Sequence, residues 1–179
     1  RIHNLHTIMF SMRRMPEPIV AKVCGAAAGA GVSIAAACDL VIAEESSFFT
    51  LAYCHIGTTP DGSASFHLPR TIGIKRSLEM TLLGDRYTAQ QMSDMGLVNF
   101  VVADADLDAE TDKLMARLAS GPTHVYGMGK KLMYQSLENQ FESQLQLEAE
   151  CFADCAKRND YREGVAAFVE KRKANFTGT

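Results

Sequence analysis

The stretch 18–39, PIVAKVCGAAAGAGVSIAAACD, decides how this chain is read. A short β-branched run (Ile19, Val20, Val23) enters a turn made only of Gly and Ala, and a helix of small residues follows over 32–37. That order aims the unsatisfied N–H groups of a helix start at whatever lies in front of them. Such a site suits an anion, or an oxygen that gains negative charge during a reaction. Gly29 and Gly31 permit close backbone approach, and Ala30 leaves its N–H uncrowded. Tight helix–strand packing selects the same small residues, so spacing alone leaves both readings open.

Outward from this stretch, 19–23 and 39–43 (DLVIA) read as buried strands, with 47–50 as a candidate third. Buried strands separated by a crossover predict a sheet covered on both faces. Upstream, Ile2, Leu5, Ile8, Met9 and Met12 fall at helical spacing, with Arg13 and Arg14 in the last turn and Pro16 as the stop. Downstream, the loop 57–62 (GTTPDG) is rich in turn residues. Helical patterns follow over 63–71, 75–83, 89–95, 107–119, 123–137, 141–157 and 161–173, interrupted by a short strand at 98–102. The first third is therefore mixed α/β and the remainder nearly all helical. Phe141, Leu145 and Phe152 share one helix face, and Val165, Phe168 and Val169 another. Core packing is the favoured reading of both faces, and a subunit interface is the alternative.

The 179 residues suffice for a real core, and 47% hydrophobic with 22% charged residues is ordinary for a globular chain. A net charge of −3 points to no nucleic-acid or membrane surface. The longest uncharged run, 23–38, is Gly/Ala-rich and shorter than the ~20 residues that span a bilayer. Five cysteines, an odd number without a C-x-x-C pair, read as reduced thiols of a cytoplasmic protein. Cys151 and Cys155 stand four apart on a helix but lack further ligands nearby in sequence, so no metal site is expected. No signal peptide is visible, and a chain opening on Arg1-Ile2-His3 is expected not to begin at a natural start.

Nucleotide motifs fail on inspection. Gly29 and Gly31 begin a G-x-G, but Ile34 stands where the third glycine belongs, and no Gly-Lys-Ser/Thr closes a phosphate loop. Residues 31–35 approximate a nucleophile elbow, yet Ser33 lies inside the helix rather than at a strand-to-helix apex. Asp61, between Pro60 and Gly62, has two readings. Asp ahead of a helix is a good N-cap. It also sits among apolar and small residues with no Lys or Arg before Arg70, and a carboxylate in dry surroundings holds a proton more readily, as a base working near neutral pH requires. His55 and His67 flank this loop, and each reads first as a packed or surface histidine.

Taken together, the stretches 18–43, 56–73, 78–102, 122–137 and 160–178 resemble the crotonase superfamily, the enoyl-CoA hydratase/isomerase family, over essentially the whole chain. Within it, the Pro60-Asp61 step and the 160–164 sequence DYREG are most similar to the phenylacetyl-CoA ring-epoxide isomerase and Δ3,Δ2-enoyl-CoA isomerase subgroup. The resemblance implies an α/β fold, a ββα spiral of which residues 1–105 form the C-terminal part, followed by a helical trimerisation region over 106–179. It implies an acyl-CoA thioester as substrate, with coenzyme A as part of that substrate and no separate cofactor, and a homotrimer or a hexamer built as a dimer of trimers. The thioester oxygen would accept the backbone N–H of Ala30 and a second N–H from a segment before Arg1. The two glutamates of hydratases correspond to Ser33 and Tyr53 here, so a single-carboxylate reaction with Asp61 as proton shuttle is favoured over hydration. Another crotonase-type reaction (thioester hydrolysis, dehalogenation with Asp61 as nucleophile, or hydration) or a silent, truncated CoA-ester-binding subunit are the alternatives. Ala26, Gly29, Gly31, Tyr53 and Pro60 would line the substrate site, with Phe168 and Lys171 near the nucleotide end of coenzyme A. Tyr53 and Phe66 hint at a bulky or aromatic acyl group.

Overall fold

The structure, a computed structural model, describes residues 2–179. Helix α1 (Ile2–Arg14) ends before Pro16, as the proline predicts. Strand β1 (Val20–Val23) leads through Gly25 into β2 (Ala26–Ala28), and Gly29 opens helix α2 (Ala30–Ala37). The unit then repeats: β3 (Leu40–Glu44), β4 (Phe48–Thr50), a 3-10 turn at Tyr53–Ile56 and helix α3 (Ala64–Thr71). Helix α4 (Gly73–Leu83), the two-residue β5 (Tyr87–Thr88), α5 (Ala89–Asp94) and β6 (Phe100–Val102) follow. A 3-10 turn at Asp104–Asp106 leads into α6 (Leu107–Ala119), α7 (Thr123–Ser136), α8 (Phe141–Ala156) and α9 (Asn159–Glu170).

The strands form two three-stranded sheets, in the orders β1-β3-β6 and β2-β4-β5, rather than the single sheet expected from two apolar runs. β1 and β3 are parallel with Val20 opposite Leu40; β2 and β4 are parallel with Ala26 opposite Phe48. Gly25 makes the break between them. Its φ of +69° suits glycine, its N–H donates to Glu44 Oε1 (2.7 Å), and its carbonyl accepts from Phe48 N–H (3.1 Å). The Gly/Ala stretch after β1 is thus a strand, β2, and not a turn. Alanine is a poor strand former, but pairing with β4 overrides its preference.

The chain divides into two compact units: residues 1–14 with 19–113, and residues 15–18 with 114–179. The first has a continuous apolar core of Val32, Phe49, Leu51, Leu68, Met80 and Met92, all at most 2% exposed. Burying a side chain such as Phe49 contributes about 1.5–3 kcal/mol. Asn99 ties β6 to β3 by exchanging bonds with Val41, and a Thr88/Gln91 capping box starts α5.

The second unit packs through small groups. Gly127 of α7 lies on Pro16, where an added Cβ would come within 2.8 Å, and Cys151 and Ala167 are the buried apolar residues of α8 and α9. The core reading of the two aromatic faces is corrected here. Phe141 (72% exposed), Phe152 (67%), Phe168 (85%) and Val169 (73%) point outward, because the inward positions belong to the smaller residues. The end of the chain is pinned instead by polar bonds: buried Asp160 accepts the N–H groups of Thr177 and Gly178, both at 2.8 Å.

Candidate active site

Gly29 holds the start of α2 in place. Its φ of +53° is a backbone conformation that L side chains avoid, and its N–H donates to Thr50 of β4 at 2.9 Å. A Cβ at this position would lie 3.5 Å from Tyr53 Cζ and 3.6 Å from its hydroxyl oxygen, so the Tyr53 ring rests against the glycine turn. Val32 N–H turns back to the Gly29 carbonyl (3.0 Å), whereas the Ala30 N–H, the first of α2, meets no backbone acceptor among the described residues. Gly31 has room for a side chain, its nearest neighbour being the Ala27 methyl at 3.9 Å from an added Cβ. Ala26 is exposed on β2.

The Tyr53 hydroxyl donates to Asp61 Oδ1 at 2.5 Å. On the other side, fully buried Ser33 in the first turn of α2 donates its hydroxyl to the Asp61 carbonyl at 2.8 Å. The glycine turn, Tyr53, Ser33 and Asp61 are therefore neighbours, although 32 positions separate Gly29 from Asp61. Asp61 is half-buried, and its Oδ2 accepts no hydrogen bond from the described residues. The N-cap reading of Asp61 fails: α3 is capped by Ser63 in a left-handed conformation, and no side chain there accepts a cap bond. Gly62 is packed so closely on Leu5 and Ser33 that an added Cβ would meet both at 3.0 Å, which fixes the course of the loop.

Burial first, and then the hydrogen bond to Asp61 and its charge, hold the Tyr53 phenol above its usual range. It remains a proton donor at neutral pH. His67 is pressed down to about 4 by burial and by the charges of Arg13 and Arg70, so it is neutral there and unlike a working acid. Phe66 packs edge-on to His67 and carries the Arg70 guanidinium at 3.9 Å. An apolar pocket of about 240 Å³ opens beside the loop, between Pro60, Leu51, Leu68, Ile74 and Leu78. Sequence reasoning passed over it. Its signal was the pair Ile74 and Leu78, one turn apart and solvent-facing on α4.

Phe168 and Lys171 belong to the second unit. Phe168 is exposed, and Lys171 ends α9 with φ +56°. The neighbouring Arg172 is committed elsewhere, in a two-point pair with Glu163 (2.6 and 2.9 Å) and a bond to Glu170 (2.6 Å). Among the described residues, no helix is long and apolar enough to cross a membrane, and no group of three His, Cys, Asp or Glu side chains could hold a metal.

The family model described as enoyl-CoA hydratase/isomerase matches residues 3–179. A probable enoyl-CoA hydratase of Rhodobacter capsulatus is 40% identical over 91% of this chain and 63% of its own length. The 1,2-epoxyphenylacetyl-CoA isomerase of Escherichia coli is 36% identical over 93% of this chain and 64% of its own. The chain thus spans a little under two thirds of these relatives. The crystal structure of an enoyl-CoA hydratase from Polaromonas sp. JS666 superimposes with a TM-score of 0.94 at 34% identity, covering 98% of this chain and 68% of that one.

Proposed function

Because the chain belongs to the enoyl-CoA hydratase/isomerase family, we propose that it moves the double bond of an acyl-CoA thioester, with Asp61 as the single acid–base group. The observation that carries the reading is the Tyr53 hydroxyl on Asp61 Oδ1, beside the glycine turn. One carboxylate oxygen is held and the other is left to work.

In this mechanism the thioester oxygen accepts the Ala30 N–H, together with a second N–H. Gly29 sets the direction of the Ala30 amide, and Gly31 leaves approach space that packing does not require. Asp61 Oδ2 removes a proton from the carbon chain, and the electron pair moves onto the thioester oxygen as an enolate. The N–H groups hold that charge; each such donor is worth roughly 2.7–4 kcal/mol. The protonated carboxyl then delivers the same proton to another carbon, so that nothing is added or lost. Hydration works better with two carboxylates, and Ser33 and Tyr53 offer none at the other two positions. The apolar pocket beside Pro60 is the place for the acyl chain. Phe168 and Lys171 serve the nucleotide end of coenzyme A. The outward faces of α8 and α9 suit a homotrimer, and five free thiols suit the cytoplasm.

Asp61→Asn is the test, assayed on a panel of enoyl- and aryl-CoA esters by mass spectrometry. Isomerisation should fall by at least about 10²-fold, with CoA-ester binding nearly intact. Retained turnover would remove Asp61 from this role. A covalent acyl adduct on Asp61 would move the assignment to nucleophilic displacement.

A further inference from the structure

The 3-10 turn that carries Tyr53 also carries two residues the proposed reaction does not use. His55 Nε2 lies 3.2 Å from the Gly84 carbonyl, and its Nδ1 lies 3.8 Å from Cys54 Sγ. A carbonyl can only accept, so the neutral ring must keep its proton on Nε2. Nδ1 then presents a lone pair to the thiol, and the Cys54 S–H donates to it. The Gly84 carbonyl is itself fixed, because Thr50 Oγ1 donates to it at 2.9 Å. The order is carbonyl, imidazole, thiol: an orienting group, a base and a nucleophile, each within reach of the next.

The local backbone keeps this order rigid. Ala52 (φ +53°) and Gly57 (φ +71°) close the turn at either end in left-handed conformations. Gly84 packs so closely that a Cβ there would sit 2.6 Å from both Cys54 Sγ and His55 Nε2. Cys54 is nevertheless exposed to solvent.

The other cysteines are set up differently. Cys24 is equally exposed, but its neighbour is the Glu44 carboxylate, whose hydrogen bond and charge push the thiol above its usual range. Burial raises Cys155, Cys151 is 4% exposed, and Cys38 is half-buried. Among the described residues, Cys54 is the cysteine that combines exposure with a base pointing at its sulfur.

We propose that Cys54 is a nucleophilic modification site, with His55 as its base, for small-molecule disulfides. Cys54 gives its proton to His55 Nδ1 and attacks one sulfur of the disulfide. The S–S bond breaks as the new one forms, and the departing thiolate recovers the proton from His55. The products are a mixed disulfide on Cys54 and one free thiol; no other oxidant is needed. The site stands independently of the chemistry assigned to Asp61.

The test is native-state reaction of the 179-residue chain with 5,5′-dithiobis(2-nitrobenzoate), quenched at intervals and mapped by peptide mass spectrometry. Cys54 should react at least about tenfold faster than Cys24, and His55→Gln should slow Cys54 by a similar factor while leaving Cys24 unchanged. Cys151, 4% exposed, should stay unreactive in both proteins, which reports that the variant is folded. Equal rates for Cys54 and Cys24 in the unmodified chain would overturn the proposal. So would a Cys54 rate that ignores the loss of His55, which would mark the thiol as merely accessible.

Discussion

The two units of this chain bury residues of different size. In the first, Phe49, Leu51, Leu68 and Met80 are inside. In the second, Phe141, Phe152, Phe168 and Val169 are outside, and the inward positions are held by Cys151, Ala167, Gly127 and Asp160. A core of its own gives the first unit a close-packed base for a short loop such as that around Asp61. The second relies on polar clasps, at Asp160 and between Arg172 and Glu163, and its aromatic faces are of the kind that mark an interaction surface.

The sharpest way to break this contrast is a pair of truncations. Phe49→Ala should cost about 3–5 kcal/mol in urea unfolding, whereas Phe168→Ala should stay within about 0.5 kcal/mol for the isolated chain. Similar losses would mean that the outward aromatics are structural after all.

The next effect is confined to the site. Tyr53→Phe removes the hydroxyl from Asp61 and keeps the ring against Gly29. A hydrogen bond to a charged group contributes about 1.5–3 kcal/mol, so kcat should fall by up to roughly 10- to 150-fold, and the melting temperature should fall by several degrees. An unaltered kcat would show that Asp61 does not need its partner.

The smallest effects separate the units by pH. His67 has a folded value of about 4 against an ordinary 6.5, so its contribution is complete above pH 6.5 and is lost as pH falls toward 4. Glu163 is drawn down to about 2 by Arg172 and the Asn175 N–H, so its contribution is complete above pH 4.5 and fades toward pH 2. Hydrogen exchange read by mass spectrometry should therefore show α3 loosening at a higher pH than α9. His67→Gln should remove the first step and Glu163→Gln the second.

Much of this architecture was legible in the residues, and the omissions have physical causes. β-branched runs marked β1 and β3, and 3.6-residue periodicity marked the helices to within a few residues. β2 carries no such mark, because Ala26–Ala28 becomes a strand only by pairing with Phe48–Thr50. With β2 unseen, the second sheet was unseen too. Asp61 stood out by its surroundings, but its bond to Tyr53 depends on a 3-10 turn that no local pattern announces. Periodicity also identified the apolar faces of α8 and α9 without revealing their direction, since a stripe of Phe and Val looks the same whether a core or a neighbour covers it.

One feature of the sheets reaches further. Each winding of the chain lays one rung in both stacks, β1 and β2 in the first and β3 and β4 in the second. β1 and β2 are edge members, and their outer backbone groups have the same spacing as those that bond the inner rungs. Such a coil grows like a staircase: a further pair of steps can seat on that edge without disturbing those already built. Length variation in an architecture of this kind is expected to come in whole windings, while the Asp61 loop, set by contacts within its own winding and the one beside it, keeps its shape.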